Sequence, residues 1–244
     1  MHRSVPRLGL LLLFMEMPAA QAQMLVVGFG THKPPYVFEG EDRGLEFEIV
    51  AQAFAQAGMQ MQPYYAPLER MHRMLERKEL EAMTATNTNS GVKAFHSDVY
   101  IEYHNVAVSL ERKGIQLERI ADLSGHSVSA FQRARMILGD EFRSMALNNP
   151  QYREEARQVT RNLLLYADRV DVMIGDRRII RAFNDVVADR VDVTQPITFH
   201  ALFSPTAYRV GFSDAGARDR FNEGLRAIRE NGQYEAIEAR YAEY

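Results

Sequence analysis

The sequence predicts an α/β protein built from alternating strands and helices. Three observations carry this. Residues 24–29 (MLVVGF) form a continuous apolar run of the kind buried on both faces of a sheet. An amphipathic helical stripe follows, and strand and helix patterns then alternate up to Thr86. A second unit of the same kind begins near Ile120, so the alternation restarts in the second half of the chain.

The first strand runs into Pro34 and Pro35, whose fixed φ forbids helix and predicts an extended loop presenting Tyr36. Residues 39–44 (EGEDRG) read as a turn. From Leu45, apolar residues recur at Phe47, Val50, Phe54 and Ala57 and stop at Gly58, as in a helix closed by glycine. Residues 59–66 predict a second strand. Pro67 opens a helix that turns Leu68, Met71, Met74 and Leu75 inward and leaves Arg70 and Arg73 off that stripe. Residues 80–86 predict a third strand, and this order implies parallel pairing with right-handed crossovers.

Further along, residues 104–114 and 128–131 read as strands, and a helix is expected through Met136 to Met145. Residues 169–176 (RVDVMIGD) form a short buried strand closed by an acid, and residues 197–204 alternate as another. Near the C-terminus Ala217, Phe221, Leu225 and Ile228 share one helical face. Gly232 interrupts it, and Tyr234, Ile237 and Tyr241 form a second stripe. No internal repeat or low-complexity linker is visible.

At 244 residues the chain suits one large domain or two lobes of about 100 residues each. The net charge of -3 argues against a nucleic-acid partner, which needs a concentrated basic face. The absence of cysteine excludes disulfides, thiol nucleophiles and thiolate metal sites. Residues 1–22 have a basic start (Arg3, Arg7), an apolar run from Leu8 to Met15 and the small-residue end Ala20-Gln21-Ala22. That is the layout of a secretory signal peptide, with cleavage expected after Ala22 and a mature net charge of -4. The histidines are scattered without metal-ligand spacing, and no phosphate loop or nucleophile elbow occurs, so neither metal nor cofactor is expected.

The ordered segments resemble the family 3 extracellular solute-binding proteins, periplasmic receptors of polar amino-acid uptake. LVVGFGTHKPPYVF is similar to that family's opening strand and Pro-aromatic loop, and GLEFEIVAQAFAQAG to its helix with acids at Glu46 and Glu48. RMLERKELEAM resembles the segment in which the family has Gly and Asp where this chain has Glu79 and Glu81. FHSDVYIEYHNVAVS, ADLSGHSVSAF, RVDVMIGD and NGQYEAIEARY resemble, in turn, the approach to the crossover strand, the opening and a strand of the second lobe, and the closing helix. The resemblance spans the mature chain. It implies a two-lobed, type II periplasmic-binding-protein-like fold with two mixed sheets, joined by hinge strands at 104–110 and 197–204. Lobe one would hold 24–108 and 202–244, and lobe two 109–201. The ligand would lie between them, with the Tyr36 loop as one wall.

Candidate ligand-binding residues follow. Tyr36 is pinned by prolines and presents an aromatic face at little entropic cost. The family's carboxylate-gripping arginine has no counterpart in TATNTNSGVKAFHS. Counting back from His96 and Ser97 places Ser90 at that position, and counting forward from Glu81 places Lys93 there. Arg70 near the cleft rim, or Arg133 and Arg135 at a helix start where the family binds anions, are the other basic candidates. Thr86 and Thr88 offer hydroxyls. Asp176 matches the family acid that accepts a ligand ammonium, and it equally suits a helix N-cap. At the opening loop the family often has an acid and an aromatic, where this chain has Gly30 and Lys33.

The resemblance implies a monomeric periplasmic receptor that captures a small polar or charged solute, amino-acid-like or a small organic anion. Its partner would be an ABC-transporter permease. Two rivals share the fold: a secreted enzyme like cyclohexadienyl dehydratase, with His32, Glu46 or Asp176 as general acid, and an orphan sensor for a signalling partner.

Overall fold

The computed structural model describes residues 24–244, and the expected leader, residues 1–22, lies outside them. β1 (Met24–Phe29), α1 (Leu45–Gln56), β2 (Gln60–Tyr65), α2 (Leu68–Glu76) and β3 (Ala82–Thr86) follow the order expected. β1 pairs in parallel with β2 and with β3, as the two helical crossovers require. Two later strands complete this sheet. β4 is Phe95–Tyr103, and β10 (Thr206–Phe212) runs antiparallel between β3 and β4, giving the order β2-β1-β3-β10-β4.

The second sheet holds β5 (Asn105–Leu110), β6 (Val128–Phe131), β7 (Tyr152–Glu155), β8 (Val172–Asp176) and β9 (Ile197–His200), in the order β7-β6-β8-β5-β9. β6 is parallel to β7 and β8, and β5 is antiparallel to β8 and β9. The two sheets therefore repeat one plan. In each, the strand that runs against the parallel set has just crossed from the other sheet. The fold is a mixed α/β one because the chain crosses twice.

α3 (Ala134–Ile137), α4 (Asp140–Asn148), α5 (Gln158–Tyr166) and α6 (Arg177–Val187) accompany the second sheet. α7 (Ala215–Glu230) and α8 (Gln233–Arg240) return to the first, where α7 lies against α1. One buried apolar cluster runs through both halves, from Leu25 and Phe54 to Val128 and Phe142.

Several details differ from the sequence expectation. The helix expected through 136–145 is two, broken at Gly139 with φ of 94°. The loop at Pro34-Pro35 is a tight turn with a cis peptide, in which Lys33 N–H donates to Val37 O at 2.9 Å. β9 ends at His200, so residues 201–205 link the sheets without strand pairing. β4, β7, β10, α5 and α6 have no counterpart in the sequence reading; β4 and β7 are rich in polar residues, and Pro150 and Pro205 just before β7 and β10 were not used as strand signals.

The chain crosses between sheets at His104 and again over residues 201–205, and β5 pairs wholly within the second sheet. We propose lobes of 24–103 with 206–244, and of 105–200, which moves the expected boundary from 108 to 104.

Candidate functional site

A cavity lies between the two sheets. Lobe one contributes Thr31 and Lys33 from the turn after β1, with Tyr103 and Tyr208 from β4 and β10. Lobe two contributes Asn105, Gln132, Gln158, Arg161 and Asp176. Thr31, Gln132 and Asp176 stand at the carboxyl ends of the parallel strands β1, β6 and β8, where open α/β sheets leave loop and helix termini free to meet a ligand.

Three charged groups define its electrostatics. Lys33 Nζ lies 2.7 Å from Glu46 Oε2, and both side chains are buried. Glu46 sits in the first turn of α1, where the helix dipole favours an acid. It also accepts hydrogen bonds from Tyr103 Oη and, at 2.6 Å, from Thr84 Oγ1. The Lys33 charge on the cavity wall is thus neutralised from behind.

Asp176 closes β8 and caps α6, accepting from Arg178 N and Ile179 N at 2.9 and 3.2 Å. It also accepts from His104 N at 2.8 Å and from Tyr36 Oη at 3.1 Å. Burial raises its carboxyl above the usual range, although these hydrogen bonds pull the other way. Burial, with the Asp176 charge second, also pushes the Tyr36 phenol up, so Tyr36 is the donor.

Arg161 projects from the first turns of α5 and is 1 % exposed. Its Nη2 donates to Gln158 Oε1, while Nε and Nη1 have no hydrogen-bond partner. Burial lowers the guanidinium pKa to about 10, with smaller upward pulls from Glu155 and Tyr208, and leaves it charged at neutral pH. The guanidinium fits because residue 175 is glycine. A Cβ there would stand 3.1 Å from Nη2.

The structure gathers only part of the predicted set. Asp176 lines the cavity. Tyr36 is buried behind that wall, stacked on Tyr103 at 3.9 Å, and reaches across the lobes to Asp176. Thr86 is buried in β3 with an unpartnered hydroxyl. Thr88, Lys93 and Arg135 are exposed, and Arg70 is exposed over the Tyr64 ring at 5.7 Å. None of these, nor Ser90, lines the cavity. The start of α3 is capped from within. Arg133 N and Arg135 N donate to the Glu154 carboxylate at 2.7 and 3.1 Å.

Arg133 instead ties the lobes together. Its Nη1 meets Glu69 Oε2 at 2.6 Å, and its Nη2 donates to Ser90 O at 2.5 Å. Gln132 Oε1 accepts from Glu69 N at 3.0 Å, and Asn105 Nδ2 donates to Thr206 Oγ1 at 3.0 Å. With Tyr36 and Asp176, these bonds hold the cleft shut.

The sequence profile of the bacterial extracellular solute-binding proteins, family 3, matches residues 25–244. The chain belongs to this family. No curated protein matches it in sequence. Its fold resembles an ancestral arginine-binding protein bound to arginine (TM-score 0.72, 16% identity, covering 89% of this chain and 97% of that one). It also resembles the arginine-, lysine-, histidine-binding protein from the thermophilic bacterium Geobacillus stearothermophilus (TM-score 0.72, 16% identity, 90% and 95%). A histidine kinase sensor domain with similarity to periplasmic binding proteins matches as well (TM-score 0.75, 18% identity, 90% and 96%).

In this family 3 member, sequence reasoning missed Arg161 and the Lys33–Glu46 pairing. One signal for Arg161 was present. The buried face of α5 reads Arg161, Asn162, Leu165, Tyr166, so a charged and an amide side chain sit on an otherwise apolar stripe. Lys33 and Glu46 are 13 positions apart across a turn, and no periodicity links them. Among the described residues no His/Cys/Asp/Glu group is arranged to hold a metal ion.

Proposed function

We propose that the chain captures a small polar or charged solute between its lobes and that the closed form is read by a membrane partner. The observation that carries this is a cavity lined from both lobes, with charged groups on each side, and closed by hydrogen bonds that exist only when the lobes meet. Family membership supports solute binding, and the fold is shared by transporter receptors and a sensor domain alike. Export through the expected leader, to the periplasm, belongs to the same proposal, as does a monomeric receptor serving a permease.

Binding without chemistry is favoured by the state of the would-be acids. Glu46 already accepts three hydrogen bonds and Asp176 four, and His32 is exposed outside the cavity lining. The arginine bound by one structural neighbour is a poor guide here, because a cation without a counter-ion, Arg161, already lines this cavity.

Small-angle X-ray scattering on the mature protein, with and without amino acids, polyamines and organic acids, tests the proposal. A binding solute should reduce the radius of gyration and raise the thermal midpoint together. A midpoint shift without compaction would argue against capture between lobes. Incubation with prephenate or arogenate is expected to leave both intact.

A further inference from the structure

We infer that Arg161 is an anion receptor for the captured solute, which therefore carries a carboxylate or a comparable oxyanion. The inference rests on the cleft-capture proposal and names the chemistry of its ligand. A guanidinium buried without a counter-ion costs several kcal/mol unless its hydrogens find acceptors. Arg161 is buried, and among the described residues no carboxylate forms an ion pair with it. The cost is accepted at the wall of a cavity that both lobes line with charged groups.

The geometry says how the anion would dock. Gln158 takes one hydrogen of Nη2. Nε and Nη1 are free. A guanidinium has two planar edges, Nε with Nη2 and Nη1 with Nη2, each presenting two parallel N–H groups. Gln158 can occupy only one of them, so a complete two-hydrogen edge remains for a carboxylate. The other charges on the wall do not compete. Lys33 is neutralised by Glu46, and the α3 start is capped by Glu154. Asp176 faces the same space with its oxygens held by four donors, which keeps it from turning onto Arg161.

The experiment uses the mature protein with acetate, succinate and L-glutamate as carboxylate probes, glycerol as a neutral probe and cadaverine as a cation, at matched ionic strength. Thermal midpoints and calorimetric titrations are recorded for wild type, Arg161→Met and Arg161→Lys. At least one carboxylate should raise the wild-type midpoint. The shift should vanish in Arg161→Met, and Arg161→Lys, which keeps the charge and loses the fork, should bind about tenfold to a hundredfold more weakly. Without solute, Arg161→Met should unfold at or above the wild-type midpoint, because an unpaired buried charge has been replaced by an apolar chain. A lower midpoint would make Arg161 a structural residue and overturn the inference. So would carboxylate shifts retained in Arg161→Met, or shifts produced only by glycerol or cadaverine, and either result leaves cleft capture standing. Silence from all five probes counts against both.

Discussion

Arg133 Nη1 lies 2.6 Å from Glu69 Oε2, across the mouth of the cleft, and the same guanidinium reaches the carbonyl of Ser90 on the first lobe. This one side chain of lobe two thus grips lobe one at two points. Its left-handed backbone, φ of 68°, is held by the Glu154 carboxylate on its own N–H.

That clamp should govern release. Arg133→Met removes a partly exposed ion pair, worth about 0.2–1 kcal/mol, and one charged hydrogen bond to a carbonyl. Solute dissociation should speed up about five- to tenfold with little change in association rate, measured by stopped-flow or surface plasmon resonance. Glu69→Gln should show a smaller effect of the same sign. An unchanged off-rate would mean the contact is incidental to closure.

The Lys33–Glu46 pair should behave as a buried pair. Lys33→Met strands a buried carboxylate and should cost about 3–5 kcal/mol in denaturant unfolding. Adding Glu46→Gln removes the second charge and keeps an oxygen for Thr84, so the double variant should recover most of that loss. Additive losses would refute the pairing.

Asp176 sets a pH dependence of definite sign. Its folded pKa is raised above the ordinary 3.8, so the native state holds the proton more tightly than the unfolded chain. Its contribution to stability is therefore full below that value and is lost as pH rises through the folded pKa. The difference in unfolding free energy between wild type and Asp176→Asn should fall over that window and then level off. A rising difference would mean that the hydrogen bonds from His104, Tyr36 and α6 outweigh burial.

The α1–α7 contact permits no side chain at Gly224, where a Cβ would stand 2.0 Å from Ala53 O. Gly224→Ala should lower stability by about 1–3 kcal/mol or more in urea, by forcing the helices apart. Solute affinity, measured where the variant is folded, should be unchanged, since neither helix lines the cleft.

Much of the frame could be read in one dimension. The apolar run of β1, the stripe of α1 and the acid closing β8 are local patterns, and local patterns survive in a sequence because strand and helix periods are fixed by backbone geometry. Tyr36 and Asp176 were both visible as special positions, yet their bond to each other, across 140 residues, was not. β4 and β7 escaped because half-polar strands owe their pairing to neighbours rather than to their own composition.

By itself the sequence determined the α/β alternation, the family and the acid at the end of β8. Only the tertiary structure decided which charges face the cleft and which are cancelled behind it. Charge cancellation depends on distances of a few ångströms between residues such as Lys33 and Glu46, whereas spacing along the chain reports only what lies on one helix or strand. For the same reason Arg161, one arginine among many in the sequence, acquires its meaning from burial without a counter-ion among the described residues.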